Sequence, residues 1–393
     1  MQLADIQSSL RDQSLDGWLF FDHHERDPLA YRILGFRPAR HVTRRWYYYI
    51  PAQGEPARLV HRIESGMLDA LPGAKTVYSS WQTQESGLAS MLAGARRVAM
   101  QYSALCAIPY VSMVDAGTVE LVRSLGPEVV SSAELIQLFE ARWTESQLAG
   151  HLEAGRRVDE VRRAAFGEIG RRLKAGESLT EWDIKQLVLT GFERAGLFTD
   201  HGPIVAVNAN ASNPHYEPTQ EEHLPIRKHD VVLLDMWARL AEPLDSVYYD
   251  ITWTGYAGLT PPAEVVNVFN VVTGARDAAI DTVVSAVRDK RPLAGYQVDD
   301  AARGHIDARG FGEYFVHRTG HSIGRDVHGT GANMDNLETH DVRPLIPQTC
   351  FSIEPGVYLP KFGIRSEVNM YIGETEAIVT GEIQRALIPI LSL

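Results

Sequence analysis

The sequence predicts an α+β protein of two domains: a smaller α/β domain, then a larger one in which helices followed by an acid-bearing strand pair occur twice. Three observations carry this. A chain of 393 residues with 45% hydrophobic content can bury more than one core. Up to about residue 140, short aromatic and β-branched runs alternate with helix-like segments. Beyond 144, helical stretches precede apolar runs that hold Asp235 and Asp250, and a second set precedes runs that hold Glu354 and Glu367.

In chain order, GWLFFD (17–22), RRWYYYIP (44–51), ARLVHRI (57–63) and RRVAMQY (96–102) have the content of strands. MVDAGTVELVRSLG (113–126) and SSAELIQLFEARW (131–143) read as helices, the second opened by Ser132 with Glu134 in its first turn. DHHERD (22–27) follows a strand with six polar residues and reads as a solvated loop. Metal binding and a reach into a neighbouring subunit's site are its other readings. From 144 a long helix opens on a Thr144–Gln147 capping box, with an apolar stripe at Leu148, Leu152, Val158, Val161, Ala165, Ile169 and Leu173. A domain boundary therefore falls near 142–144, giving domains 1–142 and 143–393. A helix at about 180–195, capped by Thr180 and stopped near Gly196, leads to the strand pair VVLLDMW (231–237) and VYYDITWTGY (247–256). Helices at about 262–288 and 297–309 lead to the second pair, CFSIEPGVYL (350–359) and GIRSEVNMYIG (363–373).

Composition excludes several partners. With 38 Lys and Arg against 50 Asp and Glu, the formal charge is −12, which opposes nucleic acid as a partner. The two cysteines, Cys106 and Cys350, cannot form a disulfide framework or a zinc cluster. The first residues lack a basic start and an apolar core, and no apolar run approaches the ~20 residues that span a bilayer. The expectation is a cytoplasmic protein with no membrane partner.

The acids inside the strand pairs are the chemical signal. Carboxylates are depleted in strands, and burying one unpaired costs several kcal/mol. Asp235 and Asp250 lie fifteen residues apart and Glu354 and Glu367 thirteen, each pair on consecutive strands, so each pair's side chains can meet across a ladder. Four carboxylates balance two divalent ions, and oxygen-rich ligands favour Mn²⁺, Co²⁺ or Zn²⁺. Four independent acids, each with its own salt bridge, is the competing reading. HRTGHSIGRDVHG (317–329) adds His317, His321 and His328, which would share one face of a helix to within about 40°. Gly320 and Gly324 weigh against that helix, and so against a three-histidine site.

HRTGHSIG, SIEPGVY, GIRSE and LLDMW…YYDIT resemble, in order, the signature segments of the pita-bread metallopeptidases, which include methionine aminopeptidase, Xaa-Pro aminopeptidase and Xaa-Pro dipeptidase (prolidase). The resemblance covers roughly 144–393. It implies a C-terminal pita-bread fold with pseudo-twofold halves, preceded by a smaller creatinase-type α/β domain. It further implies that Asp235, Asp250, His321, Glu354 and Glu367 hold two divalent ions, Mn²⁺ first among them, with Co²⁺ or Zn²⁺ as the others. A metal-bridging hydroxide would then cleave the Xaa-Pro bond of a dipeptide, with Glu354 shuttling the proton and His215 and His328 supporting the carbonyl. His317 would line the pocket, and Arg365 or Arg343 would meet the carboxylate that follows proline. A homodimer is the implied assembly. The alternatives are an Xaa-Pro aminopeptidase acting on longer peptides and a non-catalytic binding module.

Two departures from the family pattern concern substrate choice. The family commonly spaces its two aspartates more closely, so DMWARLAEPLD reads as an insertion and Asp245 becomes a rival to Asp250. Arg239, Glu242 and Asp245 in that insertion are expected to help choose the first residue of the substrate. Trp253 stands where many members carry arginine, and is expected in the pocket wall.

Overall fold

The computed structural model describes residues 3–37 and 41–393. These fall into two compact units, Met1–Glu140 and Ala141–Leu393.

The first unit holds α1 (Leu3–Asp12), β1 (Gly17–Asp22), α2 (Pro28–Leu34), β2 (Trp46–Pro51), β3 (Ala57–His61), β4 (Ala74–Tyr78), α3 (Trp81–Met91), β5 (Arg97–Met100), α4 (Ala116–Ser124), β6 (Glu128–Ser131) and α5 (Ala133–Ile136). The strands form one mixed sheet in the order β4-β3-β2-β1-β5-β6. Both faces are covered, which is why β1 and β2 read as continuous apolar runs rather than alternating ones. Trp18, Phe20 and Tyr48 enter one core, and Leu19, Tyr47 and Val98 enter the other. The helix expected over 131–143 is shorter: α5 passes into a π-helical turn, Gln137–Ala141, and Ser132 makes no side-chain cap bond.

The loop at 22–27 is built rather than merely solvated. Buried Asp22 accepts the backbone N–H groups of Glu25, Arg26 and Asp27 at 2.9, 2.7 and 3.1 Å, and the Tyr31 hydroxyl as well. Asp27 caps α2 through Ala30 N–H at 3.0 Å. Asp22 is therefore spent on its own turn, and the loop offers no group of carboxylates to a metal. Burial pushes the Asp27 carboxyl up to about 7.

The second unit opens with α6 (Glu145–Ala175), α7 (Glu181–Arg194), β7 (Leu197–Phe198), β8 (Ile204–Val207), β9 (Val231–Leu240) and β10 (Tyr249–Tyr256). Thr144 accepts Gln147 N–H at 3.2 Å and donates its own N–H to Gln147 Oε1 at 2.9 Å, so the expected capping box forms. Leu152 of the expected stripe is 46% exposed. His151, one residue earlier, takes the buried place, linking Tyr248 O and Thr380 Oγ1 at 2.7 Å each. Val158, Phe166 and Val188 pack on Leu234, Met236, Tyr249 and Ile251. Each such buried side chain contributes about 1.5–3 kcal/mol.

A second set repeats the plan: α8 (Ala263–Arg288) and α9 (Gly295–Asp307) precede β11 (Ser322–Ile323), β12 (Thr349–Ile353), β13 (Gly356–Leu359), β14 (Phe362–Arg365), β15 (Val368–Ile372), β16 (Ala377–Thr380) and β17 (Ile388–Pro389). One sheet runs β17-β10-β9-β7 with β8 on β9, another β11-β12-β15-β16, and β13 pairs β14 alone. The expected second strand pair is thus two successive pairings, with Glu354 and Glu367 in the breaks between them. Side-chain amides fasten the halves. Asn369 exchanges bonds with the backbone of Asp250 at 3.1 and 2.7 Å, and Gln384 with that of Thr254 at 3.0 and 2.6 Å.

Candidate metal centre

The β9–β10 register decides which side chains share a face. Asp235 lies opposite Thr252 and Trp237 opposite Asp250, so all four project to the same side. On β9 the alternate residues Leu234 and Met236 face α6 and α7 instead. Asp245, the rival second ligand, is exposed on the connection, where its carbonyl accepts Gln147 Nε2 at 2.9 Å. The first part of the expected insertion is strand, since β9 runs to Leu240. Arg239 lies there with its guanidinium 4.5 Å from the Phe198 ring centre.

The histidine segment is extended, not helical. Gly320 bridges to Met334, and β11 then pairs with β12. A Cβ on Gly320 would lie 1.9 Å from Ser352 O, so this glycine is required by close backbone approach. Ser352 accepts His321 N–H on its hydroxyl at 2.9 Å and donates its own N–H to His321 O at 2.8 Å. His321 Nδ1 lies 3.1 Å from Ser322 O, a carbonyl that can only accept, so Nδ1 carries the proton and Nε2 keeps its lone pair.

His321 Nε2 lies 3.6 Å from Asp250 Oδ2, and a ring nitrogen of His321 and one oxygen each of Asp250 and Glu367 lie within 4.8 Å of one another, all three residues buried. Glu354 Oε1 is 3.3 Å from the same Nε2. Asp235 completes the set through the Arg365 guanidinium, which bonds its carboxylate and also lies 3.9 Å from Glu354 Oε2. Among the described residues, Asp250 Oδ1 and Glu367 Oε1 are buried without a hydrogen-bond partner. Buried carboxylates with orphaned oxygens, gathered with an imidazole that keeps a lone pair, fit a divalent cation.

The electrostatics point the same way. Burial, and after it the neighbouring carboxylates, push Asp250 and Glu367 well above the usual carboxylate range. Burial raises Asp235 against the pull of Arg365, and raises Glu354 to about 7. His321 is held well below its usual value by burial and then by His328. A dry pocket with this much negative charge requires either protons or cations.

The remaining expected residues divide. His328 packs edge-on against His321 with ring centres 4.2 Å apart, and His215 is exposed. His317 is half-buried, its Nε2 2.6 Å from the Tyr358 hydroxyl. Arg365 is buried and committed to Asp235, to Thr252 Oγ1 at 3.0 Å and to the Tyr358 hydroxyl at 3.2 Å, so it positions the site rather than standing free for a substrate carboxylate. Arg343 is likewise buried, donating Nε and Nη2 to Asp341 at 2.9 and 2.6 Å and Nη1 to Thr330 O at 2.7 Å; it is a structural ion pair, not a substrate ligand. Trp253 lies on the opposite face of β10, under the Arg162 guanidinium at 3.4 Å, and does not line the site.

Sequence reasoning left Thr252 and Tyr358 without roles. Thr252 donates to Glu367 Oε2 at 2.8 Å, and Tyr358 joins His317 to Arg365. Strand alternation from Asp250 was the available signal for Thr252; for Tyr358 the contact with Arg365 lies within the β13–β14 hairpin, but the contact with His317 joins residues 41 apart and had none.

A model of metallopeptidase family M24 matches residues 149–374. The chain is 30% identical over 246 residues to a putative Xaa-Pro aminopeptidase of Mycoplasma pneumoniae, covering 61% of this chain and 64% of that protein. It is 29% identical to an Xaa-Pro dipeptidase of Lactobacillus delbrueckii subsp. lactis over 59% of this chain and 56% of the other. The chain thus spans less than two thirds of the length of these two curated relatives. A probable dipeptidase PepE of Mycobacterium tuberculosis aligns over 345 residues at 26% identity, covering 86% and 84%. Among solved structures, dipeptidase PepE from Mycobacterium ulcerans superposes with a TM-score of 0.73 at 23% identity, over 98% of this chain and 96% of that one. A prolidase from Thermococcus sibiricus gives 0.65 at 23% identity, over 98% of each chain. At these identities the structural likeness is one of fold.

Proposed function

This chain belongs to metallopeptidase family M24, the pita-bread metallopeptidases, and we propose that it is a dinuclear-metal hydrolase of the Xaa-Pro bond of dipeptides. The observation that carries the reading is the buried group Asp250, His321 and Glu367, whose ligand atoms lie within 4.8 Å of one another while Asp250 Oδ1 and Glu367 Oε1 have no hydrogen-bond partner. Asp235, Asp250, His321, Glu354 and Glu367 would hold the ions. When bound, two divalent cations supply an activated water and a Lewis acid for the scissile carbonyl.

The chain's own groups do the rest. Glu354, less deeply buried than Asp250 and Glu367 and held at about 7, is suited to take a proton and return it to the departing proline nitrogen. His328 and His215, on the open side of His321, support the carbonyl as charge develops there. His317 and Tyr358 form a linked wall, and Thr252 fixes Glu367. Mn²⁺, a homodimer and a cytoplasmic setting belong to the same reading, as does a creatinase-like N-terminal domain at 1–142. Two unpaired cysteines, and described helices none of which is long and apolar enough to cross a membrane, accord with it.

One observation favours a second reading. Both arginines expected to meet a carboxylate after proline are committed elsewhere, which favours an Xaa-Pro aminopeptidase acting on longer peptides. Rates on Ala-Pro and Ala-Pro-Ala with added Mn²⁺ separate the two: faster dipeptide cleavage supports the first, faster tripeptide cleavage the second. No Mn²⁺-dependent cleavage of either would leave a non-catalytic binding module.

A further inference from the structure

Beside the carboxylate cluster stands an acid that the proposed chemistry does not use. Trp237 is the cross-strand partner of Asp250, and its indole N–H donates to Asp200 Oδ1 at 3.1 Å. The other oxygen, Oδ2, lies 3.3 Å from His201 Nδ1, and the Asp200 side chain remains 39% exposed. Through Trp237 it is joined to the strand position opposite Asp250. Among the described residues no Lys or Arg forms an ion pair with Asp200, and the nearby Arg239 is turned onto Phe198 and donates to Leu240 O at 3.2 Å.

A carboxylate fixed by an indole N–H, paired with no Lys or Arg among the described residues and next to an aromatic ring, is a receptor for a cation, for which it would exchange its contact with the exposed His201. Peptide seated with its scissile carbonyl at the cluster would present its first side chain to this wall. We propose, on the reading that this site cleaves Xaa-Pro peptides, that Asp200 selects substrates whose first residue is lysine or arginine. A neutral side chain gains nothing there, and an acidic one is repelled. Partial exposure trims the effect to about tenfold, and salt weakens it further.

The test compares kcat/KM for Lys-Pro, Arg-Pro, Met-Pro and Glu-Pro on the Mn²⁺-loaded full chain. Wild type is expected to favour Lys-Pro over Met-Pro by about tenfold, mainly through KM. Asp200→Asn should bring that ratio near one, Asp200→Glu should restore most of it, and Asp200→Lys should turn the preference toward Glu-Pro. A wild-type ratio near one, or one that Asp200→Asn leaves intact, overturns the proposal. Failure to cleave any of the four, or any of the same series extended by a C-terminal Ala, overturns the peptidase reading and this proposal with it.

Discussion

Asp250 and Asp245 show how one position can hold or lose a ligand. Both acids follow β9, yet Asp250 lies on β10, where the strand register carries it to His321 and Glu367, while Asp245 on the connection faces solvent. Asp250→Asn is expected to lower bound metal and cut activity by at least ~100-fold, whereas Asp245→Ala keeps both; elemental analysis with peptidase assays checks this. Asp27 bears on stability instead. Its folded carboxyl titrates near 7, above the 3.8 of the exposed group, so the folded state binds more protons than the unfolded one in between. The stability it contributes is full below about pH 4 and is lost as pH rises through 7. Against Asp27→Asn, wild type should lose up to about 4 kcal/mol between pH 4 and 8 in urea melts. Equal pH slopes for the two proteins would contradict this.

At the scale of elements, the histidine segment works because it is a strand laid hard against β12. Gly320→Ala would drive a Cβ into Ser352 O and push the segment off its neighbour. The backbone pair that sets His321 would then be disturbed. We expect about 2–4 kcal/mol of destabilisation and weakened metal binding, read by thermal melts and by metal titration of the folded variant. If binding is undisturbed, His321 is not held by this packing. The break between β12 and β13 has a comparable use. Leaving the ladder at Glu354 lets that side chain face His321 while Ile353 and Val357 stay in the core on either side.

At the scale of the second unit, two helix-backed halves meet along β10, and the acids gather where they meet. Repulsion among those acids opposes the fold when no cation is bound. Mn²⁺ at a hundred times its dissociation constant should add ~2.7 kcal/mol to stability, and chelation should remove it together with activity. An unchanged melting temperature on chelation would mean that protons or Arg365 suffice to balance the cluster.

The sequence by itself determined the α+β class and the run of helices before each acid-bearing pair, and it marked four strand acids as anomalous, while the choice of His321 as the fifth expected ligand came from the likeness of HRTGHSIG to its family segment. Local pattern suffices there, because apolar alternation and capping boxes act over a few residues, and an acid in an apolar strand is anomalous wherever it occurs. Only the tertiary structure decided which face Trp253 takes, that Arg343 and Arg365 are already committed, and that Tyr358, Thr252 and Asp200 border the site. Most of those outcomes depend on partners far away in sequence, Arg162 for Trp253 and Asp235 for Arg365, and even the neighbouring Asp341 meets Arg343 only because both are buried. A charged or aromatic side chain looks the same in sequence whether its partner is protein or substrate. The difference is made by distances that exist only once the chain has folded.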